Sequence, residues 1–376
     1  MRKQDTERLR VRASDRSDPW IFGAVCLLVL TGFVFVLDTT YFYSQREYGD
    51  AYWMVVKHGI SVVLGAILMW GLSRIPTDRL EAVSGRLFLF ATALLVLPMV
   101  PGLGSCANGA CRWVDLGPFN LQPAEALKLA FVIYLASALS RKSDRLADFR
   151  YGVLPTLAVM LPAGLLLLLQ PDFGTAVLVA VLGVALMFLA GVPLRQLALL
   201  ALPLFAAMAV LINEAPYRLK RFLCFLDTAA DPQGACYQLI QSFRTFGSGQ
   251  LTGTGIGSSR MKTGLLPEAH TDFIFSVVGE EAGVLGACLV LLCFCVLAYR
   301  GFRVAHRHPD SFGQMLAAGI TLALVSQALI NIGVVLGLLP TKGLALPFMS
   351  YGGSSMMVSL ACVGVLMSLS RELRER

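Results

Sequence analysis

Apolar residues recur along the chain in runs, broken by short stretches rich in charge, proline or glycine. About 20 residues of helix cross a bilayer, and lipid offers backbone groups no water, so runs of that length are read as helices. The runs predict about ten membrane spans, near 19–38, 53–73, 86–101, 122–140, 152–169, 173–190, 194–213, 272–299, 312–336 and 348–370. The fourth begins with Glu125 and Lys128. The fifth and sixth are divided only by Gln170-Pro171-Asp172-Phe173-Gly174-Thr175. An all-α integral membrane protein is therefore expected.

Charge sets the orientation, because Lys and Arg in short loops favour the cytoplasm. With the N-terminus inside, the inner segments MRKQDTERLRVRASDRSD, SRIPTDRLEAVSGR, SRKSDRLADFRYG, YRGFRVAHRHPDSFG and SRELRER are all basic, and GVPLRQ is the weak one. The outer connections 39–52, 170–175 and 337–347 carry at most one Lys or Arg. Both termini are then cytoplasmic. The layout is a tail 1–18, a polytopic domain 19–371 with a large extracytoplasmic loop 214–271 between helices 7 and 8, and a tail 372–376. No cleavable signal peptide is evident in the charged first eighteen residues.

Composition agrees. Hydrophobic residues make up 56% of the chain and charged ones 15%, with mean hydropathy +0.69. The net charge of +7 falls mostly on the cytoplasmic face and does not suggest nucleic acid.

The outer loop departs from the charge pattern with Arg218, Lys220, Arg221, Arg244, Arg260 and Lys262. One reading is a solvated basic loop against lipid headgroups. The other is a site for a phosphate or pyrophosphate, favoured by the stretch GSGQLTGTGIGSS, whose backbone N–H groups can approach an anion closely. Four of the nine cysteines fall in outer segments. Bridges Cys106–Cys111 and Cys224–Cys236 are expected there, against the alternative that all nine are reduced.

Ionisable residues at membrane depth are costly and mark candidate sites. Glu125 and Lys128 share one helix face and are expected to pair, with Arg112 able to join them. Such a triad either pins a short helix at the interface or serves function. Glu280 and Glu281 lie deeper in their span, where buried hydrogen bonding to other helices in the protonated form is expected. Asp272 sits at the mouth of that span, after Glu268 and His270 and the basic glycine-rich loop, and is the best candidate for a general base.

These residues carry a resemblance. The segments QPAEALKL (122–129), QPDFGTA (170–176), YRLKRFLCFLD (217–227), YQLIQS (237–242), GTGIGSSRMK (253–262), LPEAHTDFIFSVVGEE (266–281) and NIGVVLGLLPTKGLALPFMSYGGSS (331–355) resemble the SEDS family of shape, elongation, division and sporulation proteins. Those are membrane glycosyltransferases that polymerise lipid II into peptidoglycan, and the likeness is closest to the division-type, FtsW-like branch. The chain departs from the family pattern at FLDTAAD, Arg244 and Ala282, which bears on loop shape and partner contact.

The resemblance implies ten spans and transfer of glycan from the pyrophosphate of one lipid-linked disaccharide to the sugar hydroxyl of another. It places the essential aspartate at Asp272. Arg112, Lys128, Arg218, Lys262 and Lys342 would receive the pyrophosphate, and Glu125, Glu268, His270 and Ser354 would complete the substrate site. His270 would orient rather than titrate. A divalent cation, Mg or Mn, is left open as cofactor. The implied partners are a class B penicillin-binding transpeptidase and other divisome membrane proteins, at the septum of the bacterial cytoplasmic membrane. An elongation-type polymerase, a lipid II flippase and a non-catalytic division scaffold are the alternative readings.

Overall fold

The computed structural model describes residues 17–107, 110–115, 117, 120–142, 145–259 and 266–373. The helices are α1 (Pro19–Tyr48), α2 (Trp53–Leu72), α3 (Thr77–Leu94), α4 (Pro123–Ser140), α5 (Phe149–Gly152), α6 (Leu154–Leu169), α7 (Phe173–Leu189), α8 (Leu194–Glu214), α9 (Pro216–Leu226), α10 (Tyr237–Ser248), α11 (Ile274–Arg307), α12 (Ser311–Val335) and α13 (Gly353–Arg371). A small antiparallel sheet, β1 (Gly104–Ala107), β2 (Ala110–Asp115) and β3 (Asn120–Leu121), lies between α3 and α4 in the chain. The protein is an all-α membrane protein apart from this hairpin.

Each predicted span contains a helix. Eight helices among the described residues are long and apolar enough to cross a membrane. The other two, α6 and α7, have 16 and 17 residues. They rise only about 24–26 Å against a hydrocarbon core of about 30 Å. Several boundaries moved. α1 runs on through polar residues to Tyr48, since leaving the apolar region does not end a helix; Gly49, with φ 73, does. α3 starts at Thr77, nine residues before the predicted edge of its span, because Pro76 and Asp78 form a helix start within a stretch read from its charge as a loop. The final helix starts only at Gly353.

Burial separates the helices. The most apolar windows of α4, α12 and α13 are 72%, 72% and 83% buried, whereas that of α8 is 11% buried. The first three form the protein's interior, and α8 presents its apolar surface outward, as a lipid-facing helix does. α2 crosses α13 closely. A Cβ on Gly65 would come within 2.6 Å of Leu360, and one on Gly364 within 2.5 Å of the Met69 carbonyl. Small residues at such crossings let helices meet without a solvent-driven hydrophobic effect.

The segment 214–271 is more than a plain outer loop. α10 runs beside the first half of α11. Ser242 Oγ meets Ser276 Oγ at 2.7 Å and donates to the Val335 carbonyl on α12 at 3.0 Å. The Phe246 and Phe275 rings lie 5.8 Å apart. The glycine-rich stretch after α10 then reaches the point where α11 is broken, at Gly283 (φ 66, ψ −169). Thr254 and Gly255 N–H groups donate to the Glu280 and Glu281 carbonyls, and Val284 and Leu285 N–H groups donate to the Gln250 and Leu251 carbonyls. The loop thus supplies the backbone partners that the break removes. Gly283 lies about 14 Å of helix rise below Ile274. Irregular backbone at that depth survives only when enclosed by protein, which this clasp provides.

Candidate active site

The site is built on the turn before α11. Glu268 has φ 58, and its carbonyl accepts from Thr271 and Phe273 N–H groups. Its carboxylate accepts the Thr271 hydroxyl at 2.8 Å. The next carbonyls are then fixed in succession from across the fold. His270 accepts Tyr351 N–H at 2.8 Å, Thr271 accepts the Ser350 hydroxyl at 2.6 Å, and Asp272 accepts Asn331 Nδ2 at 2.8 Å. Asn331 also donates to the Leu344 carbonyl at 2.7 Å. One buried amide therefore holds both Asp272 and the 341–345 segment in register.

Asp272 is half-buried and lies just outside the membrane-spanning helix. Its carboxylate packs on Gly343, where an added Cβ would fall 3.1 Å from Oδ2. It makes no side-chain hydrogen bond to a described residue. Burial pushes its pKa up to about 7; Glu268 adds to the rise, while Arg221 and Arg112 pull it down. The carboxyl is thus poised near neutrality, the range in which a general base works best. His270 packs its ring between Tyr43 and Tyr351, at 5.2 and 5.7 Å. Burial lowers its pKa, against the pull of Glu268, so it is neutral at physiological pH.

Arg221 and Arg112 are the cations that act on this carboxylate, and two more share one ring. The Phe173 ring, at the start of α7, has the Arg218 guanidinium and Lys342 Nζ each 5.2 Å from its centre. Arg218 donates to the Leu211 carbonyl at 3.1 Å, yet its buried Nε has no partner among the described residues. Burial lowers the pKa of Lys342. Arg221 lies over Tyr217 at 5.6 Å and acts on Asp272 through space.

Arg112, on β2, does not join Glu125 and Lys128. It donates to the carbonyls of Gln170 (3.3 Å) and Pro171, tying the hairpin to the α6–α7 turn. That turn also contains Asp172, which caps α7 through Thr175. Arg112 and Gln170 are 58 residues apart, a contact that local sequence could not reveal.

Glu125 and Lys128 pair at 2.9 Å on the buried face of α4. Lys128 also donates to Gln327 Oε1 at 2.6 Å, and Gln327 Nε2 donates to the Ala345 carbonyl at 2.7 Å. This arrangement braces the 341–345 segment beside Asp272 from behind, as a pin does. Ser354 accepts Gln122 N–H at 2.8 Å and donates to the Asn120 carbonyl at 3.1 Å, which joins the α13 start to the hairpin. Lys262 and Arg260 lie outside the described residues.

The glycine-rich loop binds an anion, but the anion is internal. Gly257 and Ser259 N–H groups each donate to the Glu281 carboxylate at 2.9 Å, and the Ser259 hydroxyl donates to Glu280. The reading of this stretch as a pyrophosphate cradle therefore gives way over 249–259, and the acids are satisfied by the loop together with a hydrogen bond between Glu281 and Asp38 on α1, the bonding to another helix that was expected. The structure joins Cys106 to Cys111 across β1–β2 and Cys224 to Cys236 around α9. Among the described residues no three His, Cys, Asp or Glu side chains converge to hold a metal ion, and Glu268 and Asp172 are spent on Thr271 and Thr175.

Sequence reasoning missed Arg221 as a neighbour of Asp272, and Asn331, Ser350 and Phe173 altogether. Asn331, Ser350 and Phe173 fall inside the segments that carry the family resemblance, which gave them no role.

Fold and site together define a polytopic membrane protein with an acid poised among cations at one mouth of its helix bundle. The chain belongs to the FtsW/RodA/SpoVE family of cell cycle proteins, which it matches over residues 19–375. It is 42% identical to the probable peptidoglycan glycosyltransferase FtsW of Thioalkalivibrio sulfidiphilus over 98% of this chain and 93% of that one. It is 38% identical to the stage V sporulation protein E of Bacillus subtilis over 93% and 96%. Among solved structures it resembles a chain from a peptidoglycan synthase complex that coordinates polymerization and crosslinking, with TM-score 0.78, 30% identity and coverage of 95% and 98%.

Proposed function

We propose that this protein polymerises lipid II into glycan strands at the outer face of the bacterial cytoplasmic membrane, for septal wall synthesis in cell division. The family membership and the FtsW relatives support the activity and the division role. The observation that carries the mechanism is the Asp272 carboxylate, without a hydrogen bond to any described residue, clamped through its backbone and faced by Arg221 and Arg112.

Asp272 takes the proton of the acceptor sugar hydroxyl as that oxygen attacks the anomeric carbon of the donor. The new glycosidic bond forms as the bond to the lipid pyrophosphate breaks. The departing pyrophosphate gains negative charge, which Arg218, Arg221, Lys342 and Arg112 are positioned to stabilise, with Lys262 as a further candidate. His270 stays neutral and orients. Glu125 and Lys128 act from behind by bracing the 341–345 segment.

The partner is a class B penicillin-binding transpeptidase, which would crosslink the strands. The likeness to a synthase complex that couples polymerization to crosslinking supports this pairing. The purified protein mixed with lipid II, with and without such a partner, should make glycan strands. Asp272→Asn should still bind partner and lipid II yet make almost none. Near wild-type polymerisation by Asp272→Asn would remove the assignment.

A further inference from the structure

A charged groove far from Asp272 has no role in this chemistry. It lies between α3 and α4 and is closed at one side by Pro155, with a volume of about 500 Å³. Gly85 opens it, since even an added Cβ would stay 4.0 Å from the Tyr134 ring. Its charged lining is three cations, Arg86, Arg141 and Lys142, to one carboxylate, Glu81. Glu81 is already engaged by Arg141 Nε at 2.9 Å. Lys142 lies 5.5 Å from the centre of the Tyr151 ring, with Arg145 on the same ring at 5.4 Å.

Arg86 is the unusual member. It makes no hydrogen bond or ion pair with a described residue and is exposed. It stands about 14 Å of helix rise above Thr77, at the edge where the charged start of α3 meets the apolar layer. A guanidinium at that depth is costly unless it meets an anion or reaches the headgroup layer. Beside it, Leu89 and Phe90 are 71% and 62% exposed, an apolar flank of the kind that lipid chains cover.

We propose that this groove binds the phosphodiester of an anionic phospholipid. Arg86 and Lys142 contact the phosphate, Glu81 holds Arg141 at its rim, and the acyl chains lie along Leu89 and Phe90. A lipid is favoured over a free phosphate because the groove opens beside exposed apolar side chains. With the N-terminus inside, the lipid belongs to the cytoplasmic leaflet, where basic pockets between helices recognise such headgroups.

The test uses the full-length protein in detergent micelles with added phosphatidylglycerol, read by native mass spectrometry as lipid retained per protein. Arg86→Gln/Lys142→Gln should lower retention about tenfold or more, while Arg303→Gln, elsewhere on the basic side, should not. Glu81→Gln should raise retention by freeing Arg141. Equal retention by wild type and the double variant would overturn the proposal. So would an equal loss in Arg303→Gln, or displacement of the lipid by inorganic phosphate, which would make the site one for a free anion. If the double variant loses its helical circular-dichroism signal, Glu81→Gln decides alone, and unchanged or weaker retention then overturns the proposal. The readout does not depend on which leaflet the groove faces.

Discussion

Asp272 and Glu281 flank the outer half of α11, one before its first turn and the other just before its break at Gly283. Both lie next to a glycine-bearing loop, yet their surroundings are opposite. Glu281 is satisfied by backbone N–H groups at 2.9 Å. The carboxylate of Asp272 has no such bonds among the described residues; only its carbonyl is held, by Asn331 at 2.8 Å. A carboxylate whose lone pairs are taken holds structure together. One whose backbone is fixed but whose oxygens are open can accept a proton without rearranging its support.

The contrast is sharpest under isosteric change. Asp272→Asn should cost about 10²–10⁴ in polymerisation rate, measured on lipid II with purified protein. Its melting temperature should not fall. The folded pKa of Asp272, about 7, stands above the ordinary carboxylate value of 3.8. Its contribution to stability is therefore present at low pH and lost as pH rises through about 7. Asn, which cannot ionise, should melt at or above wild type at pH 8, with the gap closing below pH 7. Glu281→Gln should do the reverse. It turns an acceptor into a donor facing N–H groups, which costs about 1–3 kcal/mol, with activity per folded molecule nearly kept. If Glu281→Gln abolishes activity without loss of stability, the division between the two acids breaks down.

Asn331→Leu should come next in size. Loss of the clamp would let Asp272 drift, and misplacement of about 1 Å can cost on the order of 10²-fold. The loss should fall mainly on kcat, because Arg218, Arg221 and Arg112 are untouched, with a smaller rise in KM through Lys342 on the segment that Asn331 also holds. A pure KM effect would instead place Asn331 in contact with substrate.

The pH profile gives a smaller, directional effect. A base must be ionised, so the rate should fall as pH drops through about 7. Glu268→Gln removes a charge that raises this pKa and should move the inflection down. Arg221→Gln removes one that lowers it and should move the inflection up. An inflection that ignores both variants would assign the titration to another group. The smallest change is expected from Cys106→Ser/Cys111→Ser, which frees a surface hairpin near Arg112. It should slightly lower activity and leave the helices intact, as seen by circular dichroism.

Hydropathy alone located the helices of the ten apolar runs, because lipid imposes one solution on a long apolar run, but not α5, α9 and α10. It misjudged the ends of α1 and α3, where charged residues continue a helix beyond the apolar layer. Placement at the mouth of its span and motif likeness both reached Asp272, charge reached Arg218, and motif likeness alone reached Lys342. Neither could show that Arg112 is bound to Gln170 and Pro171, or that Lys128 reaches Ala345 through Gln327. Those partners meet only when distant helices pack. The glycine-rich loop is the most instructive miss. Glycine marks close backbone approach whether the anion is a substrate or the chain's own glutamate, so composition could not separate the two.

The tie between α10 and α12 also sets an order on biogenesis. Ser242 on α10 bonds to Val335, 93 residues downstream. At about 5–20 residues per second of synthesis, α10 and its loop must wait roughly 5–20 s on the far side of the membrane for that partner to emerge. The break in α11 can meet its loop partners as soon as it is made, but α10 stays untied to α12 until then. The newborn protein thus passes through a stage in which α10 is made but not yet tied to α12, and this tie closes only once Val335 has arrived.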